Sequence, residues 1–315
     1  MIQLSDEQLA NIANDYYLND LNLEEITHKY SLSRYLVSKA LKDAKDRGVI
    51  QISIQTDGFR RNRELEYIFK KNFNLKEVFI LRKTDTKMED QENLVRFAAM
   101  QLQKHIKKSK NVGLTWGTTL LDVINNFQVN NYPDLKFIQL LGITVELGHR
   151  KDTLVKTAAK KFNAKYEQLP APLYCLNSTI IQASKKEPIF SHIFKSYPNL
   201  DLIISAIGTI ESIDENEFMA EYYKPTLFKD IPTDQIAGFI FGRPYTIDGK
   251  VFNAIDDHIW GISQKDILKT PDRFIIEKNR FKAEALLGAL RTGFVTGLII
   301  NEGIAKRILQ KMRTE

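Results

Sequence analysis

Leu23-Glu24-Glu25-Ile26-Thr27-His28-Lys29-Tyr30-Ser31-Leu32-Ser33-Arg34-Tyr35-Leu36-Val37-Ser38-Lys39-Ala40-Leu41 is the stretch on which the reading of this 315-residue chain turns. Its apolar positions Ile26, Tyr30, Leu32, Val37 and Leu41 fall where two short helices crossing at a steep angle must touch, the spacing of a helix-turn-helix. Ser33 is placed to cap the second helix by accepting a backbone N–H from its first turn, which turns Arg34, Tyr35, Ser38, Lys39 and Lys42 outward. Thr27 stands where a tight crossing usually wants Ala, and Ser31 where the turn often wants Gly; both are small enough to fit. Gly48 ends the helix as the commonest C-cap residue. The run Val49-Ile50-Gln51-Ile52-Ser53-Ile54 then alternates apolar and polar from Ile50 onward, as a wing strand does. Residues 1–56 therefore read as a winged helix-turn-helix.

In such a module the N-terminal part of the second helix enters the major groove. Ser33, Arg34, Tyr35, Ser38, Lys39 and Lys42 make the expected DNA-binding set, with Arg34, Tyr35, Ser38 and Lys39 nearest the base edges and Lys42 and Lys45 nearer phosphates. Between Ser33 and Gly48 five basic residues (Arg34, Lys39, Lys42, Lys45, Arg47) stand against Asp43 and Asp46. The whole chain carries 45 Lys and Arg against 39 Asp and Glu, a net +6, so positive charge is localised rather than general. Binding through phosphates should fall steeply with salt. The single cysteine, Cys175, excludes an internal disulfide and fits a reducing compartment. No apolar run approaches the roughly 20 residues of a membrane-spanning helix, and no secretory pattern opens the chain. The expected compartment is the cytoplasm, with no membrane partner.

The length allows a small module plus one large core. Polar, basic, Gly-containing residues 57–63 read as a linker, leaving 64–315 as the larger domain. There, β-branched runs at 78–81, 112–115, 137–141, 202–206, 236–241, 274–276 and 297–300 read as strands, and 91–107, 118–126, 154–162, 282–290 and 302–312 as helices. Such alternation predicts a doubly wound, largely parallel α/β sheet whose ligands sit where strand C-termini meet helix N-termini.

The sharpest local signal in this part is Val112-Gly113-Leu114-Thr115-Trp116-Gly117-Thr118-Thr119-Leu120-Leu121. A strand runs into a Gly loop, and Thr118 and Thr119 open a helix, which sets hydroxyls and free N–H groups at the positive end of a helix dipole. The stretch reads equally as an ordinary strand-to-helix turn with Thr as N-cap. It lacks the Gly-Lys-Ser/Thr ending of a Walker loop, so nucleotide hydrolysis has no support. Arg243, just after a strand, and Lys282, at a helix start, add cations at the edge where ligands collect. His149, His192 and His258 have no neighbours that make a triad; no catalytic residue, metal or cofactor is assigned.

These residues resemble the SorC/DeoR-type sugar-responsive transcriptional regulators of bacteria over essentially the whole chain. The likeness runs through Leu32-Ser33-Arg34, Val37-Ser38 and Gly48-Val49-Ile50-Gln51-Ile52. It continues in Gly113 to Thr119, Gln139-Leu140-Leu141-Gly142, Gly242-Arg243, Ile247-Asp248-Gly249, Asp256-Asp257, Gly261-Ile262, Lys282-Ala283-Glu284-Ala285 and Ala289-Leu290. The resemblance implies an effector domain related in fold to sugar-phosphate isomerases, deaminases and CoA-transferases, without their catalysis. It implies operator DNA, a phosphorylated sugar and self-association as dimer or tetramer. Carried over by motif, the ligand would meet Trp116, Gly117, Thr118, Thr119, Gln139, Gly142, Arg243, Asp256, Asp257 and Lys282, with Thr118 and Thr119 on the phosphate. The chain departs from the pattern in having Phe239 for an Asp, Leu141 for the Lys of deoxyribose-phosphate-responsive members, and Glu277-Lys278-Asn279-Arg280-Phe281 for a Gly-rich stretch. A more anionic effector, a sugar bisphosphate or a polycarboxylate, is the alternative those changes raise.

Overall fold

The computed structural model describes residues 4–19, 21–50, 59–144 and 152–314. Backbone contacts divide the chain into two units, Met1–Gly58 and Phe59–Glu315.

The small unit holds three helices: α1 (Asp6–Tyr17), α2 (Leu23–Tyr30) and α3 (Arg34–Asp46). Each begins at a side-chain cap. Ser5 with Gln8 and Asn22 with Glu25 form reciprocal capping boxes, and Ser33 Oγ accepts the Leu36 N–H at 3.3 Å. Helix α1 was not foreseen, although that Ser5…Gln8 pair and the apolar spacing of Leu9, Ile12, Ala13 and Tyr16 announce it. The turn after α2 puts Ser31 in the left-handed region, φ 51°. Leu32 N–H reaches Thr27 O and Ser31 N–H reaches His28 O, the paired bonds of a Schellman ending. Thr27 is accommodated at the crossing because its hydroxyl donates to Leu23 O at 2.6 Å. Leu9, Ile12, Ile26, Val37, Ala40, Leu41 and Ala44 form the core. Gly48, at φ 71°, follows α3 as expected; the wing expected at Gln51 to Ile54 lies outside the described residues.

The large unit is built on seven parallel strands: β1 (Glu77–Leu81), β2 (Asn111–Leu114), β3 (Lys136–Gln139), β4 (Lys165–Glu167), β5 (Leu202–Ser205), β8 (Asp272–Glu277) and β9 (Gly297–Asn301). Their order across the sheet is β1-β9-β8-β5-β2-β3-β4. Period two sends side chains to opposite faces. Phe79, Val112, Leu114, Leu202, Ile204, Phe274, Ile276 and Ile299 enter one core, where helices α5 (Lys87–Ile106), α6 (Thr118–Asn125) and α7 (Leu154–Phe162) pack. Ile80, Ile203, Ile275, Leu298 and Ile300 enter the other, with α4 (Arg63–Asn72), α8 (Ala283–Arg291) and α9 (Glu302–Thr314). This is the doubly wound architecture the alternation predicts.

Two expectations need correction. The run 236–241 is not a strand of the parallel sheet. It contributes β6 (Gly238–Ile240), which pairs antiparallel with β7 (Arg243–Tyr245) in a separate hairpin turned by Phe241 and Gly242, φ 50° and 75°. Positive φ at both turn residues is the two-residue hairpin geometry; a Phe there gave no sequence signal. Residues 59–63 are not a free linker either. Asn62 N–H donates to Ile80 O at 2.8 Å, Arg82 N–H to Arg60 O at 2.7 Å, and Arg61 makes a two-pronged pair with Glu66 while lying over the Phe79 ring. The basic residues that made the segment look solvated tie it to the edge strand.

Candidate functional site

In the small unit, Ser33, Arg34, Tyr35, Ser38, Lys39 and Lys42 are all exposed, while Val37, Ala40, Leu41 and Ala44 of the same helix are buried. Tyr35 is 74% exposed, a large apolar side chain left in water on the face that carries the cations. Ser33 uses one lone pair on the helix cap and keeps its hydroxyl proton and a second lone pair to offer outward. Behind this face, Asp15 is nearly buried and accepts from Tyr30 Oη at 2.7 Å, Asn19 Nδ2 at 3.0 Å and Lys29 Nζ at 2.8 Å. Hydrogen bonding, first to Lys29 and then to Tyr30, holds its carboxyl down at about 2. Burial, then the hydrogen bond to Asp15, pushes the Tyr30 phenol up to about 12.

In the large unit the sheet order creates a crevice. The chain leaves β2 through α6 toward β3 on one side, whereas the strand that follows β5 in the parallel sheet, β8, lies on the other. Between adjacent strands whose connections diverge, the C-terminal edge stays open, and ligands collect there. Gly117 precedes α6 at φ 147°, a conformation reserved for Gly, and no side chain caps the helix. The first amides of α6 have no intrahelical acceptor. Thr118 is exposed and Thr119 buried, and no described residue bonds to either hydroxyl. A Cβ on Gly117 would lie 3.6 Å from Ala206 Cβ, so α6 opens directly beside the segment leaving β5.

The facing wall comes from that segment and from the end of β8. Lys282 Nζ donates to Ile207 O at 2.9 Å and stands 3.7 Å from Glu277 Oε2. Glu277 is 1% exposed; its Oε1 accepts the Asn279 N–H at 2.7 Å, and its Oε2 has no hydrogen-bond partner among the described residues. Burial pushes this carboxyl up, and Lys282 pulls it back. Lys278 Nζ reaches across to Asp122 on α6 at 2.5 Å, closing one side. Beyond Lys282, Arg280 and Phe281 line a groove of 610 Å³ with Thr209, Glu284, Arg307 and Lys311. Phe281 is 69% exposed, with Lys87, Arg280 and Arg307 around its ring.

The other expected ligand residues have different surroundings. Trp116 Nε1 donates to Gly142 O at 3.0 Å, and the buried Gln139 donates to Leu141 O at 2.7 Å. Gly142 leaves no room for a Cβ, which would fall 2.0 Å from Pro172 O. Trp116 and Gly142 are thus joined directly, while Gln139 braces the backbone at Leu141 and accepts the Leu169 N–H. Arg243 is 2% exposed, and its donors go to Asp256 Oδ1 at 2.5 Å, Phe241 O at 2.7 Å and Ile262 O at 3.1 Å. Arg243, expected to add positive charge where ligands collect, spends it within the fold: its buried guanidinium needs these acceptors, and Phe241 of the hairpin supplies one while Asp256 and Ile262 of later segments supply the others. Asp256, whose side chain is about one-third exposed, is the partner that neutralises it through Oδ1. Asp257 is exposed. Among the expected ligand residues, Gly117, Thr118, Thr119 and Lys282 are the ones brought to the crevice with groups to spare. Glu277, the first residue of the stretch that stands in place of a Gly-rich one, joins them.

Residues 57–310 match the family described as “Putative sugar-binding domain”. The chain belongs to this SorC/DeoR-type family. It is 23% identical over 304 residues to the deoxyribonucleoside regulator of Bacillus subtilis (strain 168), covering 94% of this chain and 95% of that one. To the sorbitol operon regulator of Klebsiella pneumoniae it is 22% identical, over 96% of this chain and 97% of the other. The crystal structure of the full-length Klebsiella pneumoniae regulator SorC superposes with a TM-score of 0.79 at 21% identity, over 98% of this chain and 100% of that one. The two-unit fold is thus that of full-length SorC. No described helix is long and apolar enough to cross a membrane.

Proposed function

We propose that this member of the family is a DNA-binding transcriptional regulator of a carbohydrate-utilisation operon, and that a phosphorylated sugar bound in the large unit controls it. The observation that carries the effector class is the uncapped N-terminus of α6, with the Thr118 and Thr119 hydroxyls beside it, facing the Lys282 ammonium across the crevice. Backbone N–H groups, hydroxyls and one mobile cation are what a phosphate monoester needs. The names of the relatives, regulators of sorbitol and deoxyribonucleoside systems, support the same reading.

For the small unit, the exposed Arg34, Tyr35, Ser38, Lys39 and Lys42 support docking in a major groove. Two copies of the module would span half-sites about 34 to 36 Å apart, so the working regulator is a dimer or tetramer acting in the cytoplasm. The effector shifts the populations of assemblies that fit the operator and those that do not. The role is regulatory rather than catalytic: His258 spends Nδ1 on Cys175 O, and His192 faces Glu167 at a sheet edge. The second reading, a polycarboxylate effector, is favoured by one observation, the cations Arg280 and Arg307 at the adjoining groove.

A thermal-shift screen of the full chain against sugar phosphates and di- or tricarboxylates tests the reading, since a ligand that binds the native state raises its melting temperature. The expected result is a shift with sugar phosphates that Thr118→Val diminishes and Arg280→Ala spares. A shift confined to carboxylates and lost in Arg280→Ala would replace the first reading with the second.

A further inference from the structure

Among the described residues of the large unit, Glu277 is a buried carboxylate at the crevice with an oxygen left unpartnered. A carboxylate at 1% exposure has one oxygen bonded to the Asn279 amide and the other, Oε2, bonded to nothing described. Buried polar atoms are almost always paired, and one that is not calls for a donor that arrives later. The charged and titratable groups around Glu277 are Lys278, Lys282 and Tyr245, and the Tyr245 hydroxyl is already committed to Ala285 O at 2.9 Å. Among the described ion pairs, it is the Lys282 ammonium that faces Oε2, at 3.7 Å, beyond hydrogen-bond length, with its bond given to Ile207 O.

We propose that Glu277 is a specificity-determining residue that accepts a hydrogen bond from a hydroxyl of the effector. This rests on the phosphate reading of the α6 end. Lys282 Nζ stands 3.7 Å from Oε2 and compensates its charge. A phosphate seated on the α6 amides draws the ammonium toward itself, which uncovers Oε2 and removes the cation that compensated it. A hydroxyl carried on the same ligand then replaces the ammonium as the donor. The position defines the ligand class: a phosphate monoester with a hydroxyl on a neighbouring carbon. A ligand whose second polar group only accepts hydrogen bonds would meet Oε2 as a like charge.

The test uses the full chain and a matched pair of probes, glycerol 3-phosphate and propyl phosphate, which share a three-carbon phosphate monoester and differ in hydroxyls. Calorimetric titration should show glycerol 3-phosphate binding about ten- to a hundredfold tighter, the range a hydrogen bond to a charged group supplies. Glu277→Leu should bind both probes equally, at the propyl phosphate affinity, and Glu277→Gln, which keeps an acceptor oxygen, should restore most of the preference. The unliganded Glu277→Leu protein should melt no lower than wild type, because it loses a buried charge that lacks a full set of partners. Equal affinities in the wild type, or an unchanged preference in Glu277→Leu, overturn the proposal. Lys282→Met separates the two layers: it should weaken both probes alike; if it weakens neither, the phosphate reading falls and the proposal with it, whereas weakening of both together with an unchanged preference in Glu277→Leu overturns the proposal alone. Failure of both probes to bind overturns both.

Discussion

At the scale of single residues, the small unit shows where sequence and geometry are in tension. Ser31 adopts the left-handed conformation at φ 51° because the Schellman ending of α2 requires it. An L-residue is disfavoured there, so Ser31→Gly should raise stability by about 0.5–1 kcal/mol, read as a higher urea midpoint at constant slope. Asp15 and Tyr30 form a proton-sensitive pair. The folded state lowers the Asp15 carboxyl from 3.8 to about 2, so its contribution is complete above about pH 4 and is lost as pH falls toward 2. The Tyr30 phenol is raised from 10 to about 12, so its contribution is complete below pH 10 and is lost as pH climbs through 12. Asp15→Asn should therefore flatten the acid limb of a stability-versus-pH curve followed by circular dichroism. An acid limb identical to wild type would mean that other carboxylates control it. On the exposed face, Lys42→Ala should reduce the salt slope of operator binding by roughly one unit without changing sequence preference, whereas Arg34→Ala should relax that preference by about 1–3 kcal/mol at one position. Filter binding or fluorescence anisotropy at several salt concentrations on matched and mismatched operators separates the two effects.

At the scale of elements, α6 depends on one residue for its direction and its free amides. Gly117→Ala should destabilise the large unit by about 1–3 kcal/mol, because φ 147° is open only to Gly. It should also weaken inorganic phosphate in a calorimetric titration; phosphate binding at wild-type strength would place the anion elsewhere. The elements that sequence announces clearly are those with local causes. The Ser33 cap, the Gly48 ending and the Gly117-Thr118-Thr119 turn are each written within a few residues. The β6–β7 hairpin is not, because its turn places Phe241 at positive φ and holds it there by the bond from the buried Arg243 to Phe241 O, a contact that depends on Asp256 and Ile262 from distant segments. The same long-range pairing hides the role of Arg243. An Arg after a strand looks alike in sequence whether it faces a ligand or a buried carboxylate. Glu277 was illegible for the converse reason: burial of a charge is a property of the folded sheet, and its neighbours in sequence are Lys278, Asn279 and Arg280.

At the scale of the whole molecule, the chain carries separate cores in its two units, one around Leu9, Ile26 and Val37, the others on the two faces of the parallel sheet. A phosphate ligand held by α6 and Lys282 binds only the larger unit. Differential scanning calorimetry of the full chain should therefore show the large-unit transition rising with ligand concentration while the small-unit transition keeps its temperature. Movement of both by the same amount would mean that the two melt as one. The alternation of strands and helices that makes this larger unit legible also marks the C-terminal strand edge as the one where ligands collect, but the crevice itself follows from the strand order, a fact about pairing that no local stretch contains. Trp116 draws one more consequence from that crevice. Its indole is half-buried, bonded to Gly142 O, and immediately precedes Gly117. The chain has two tryptophans, Trp116 and Trp260, and Trp260 is buried at 4% exposure. A ligand held at the α6 end should change the polarity and quenching around Trp116 far more than around Trp260, so its occupancy would be readable by an intrinsic emission shift without any label.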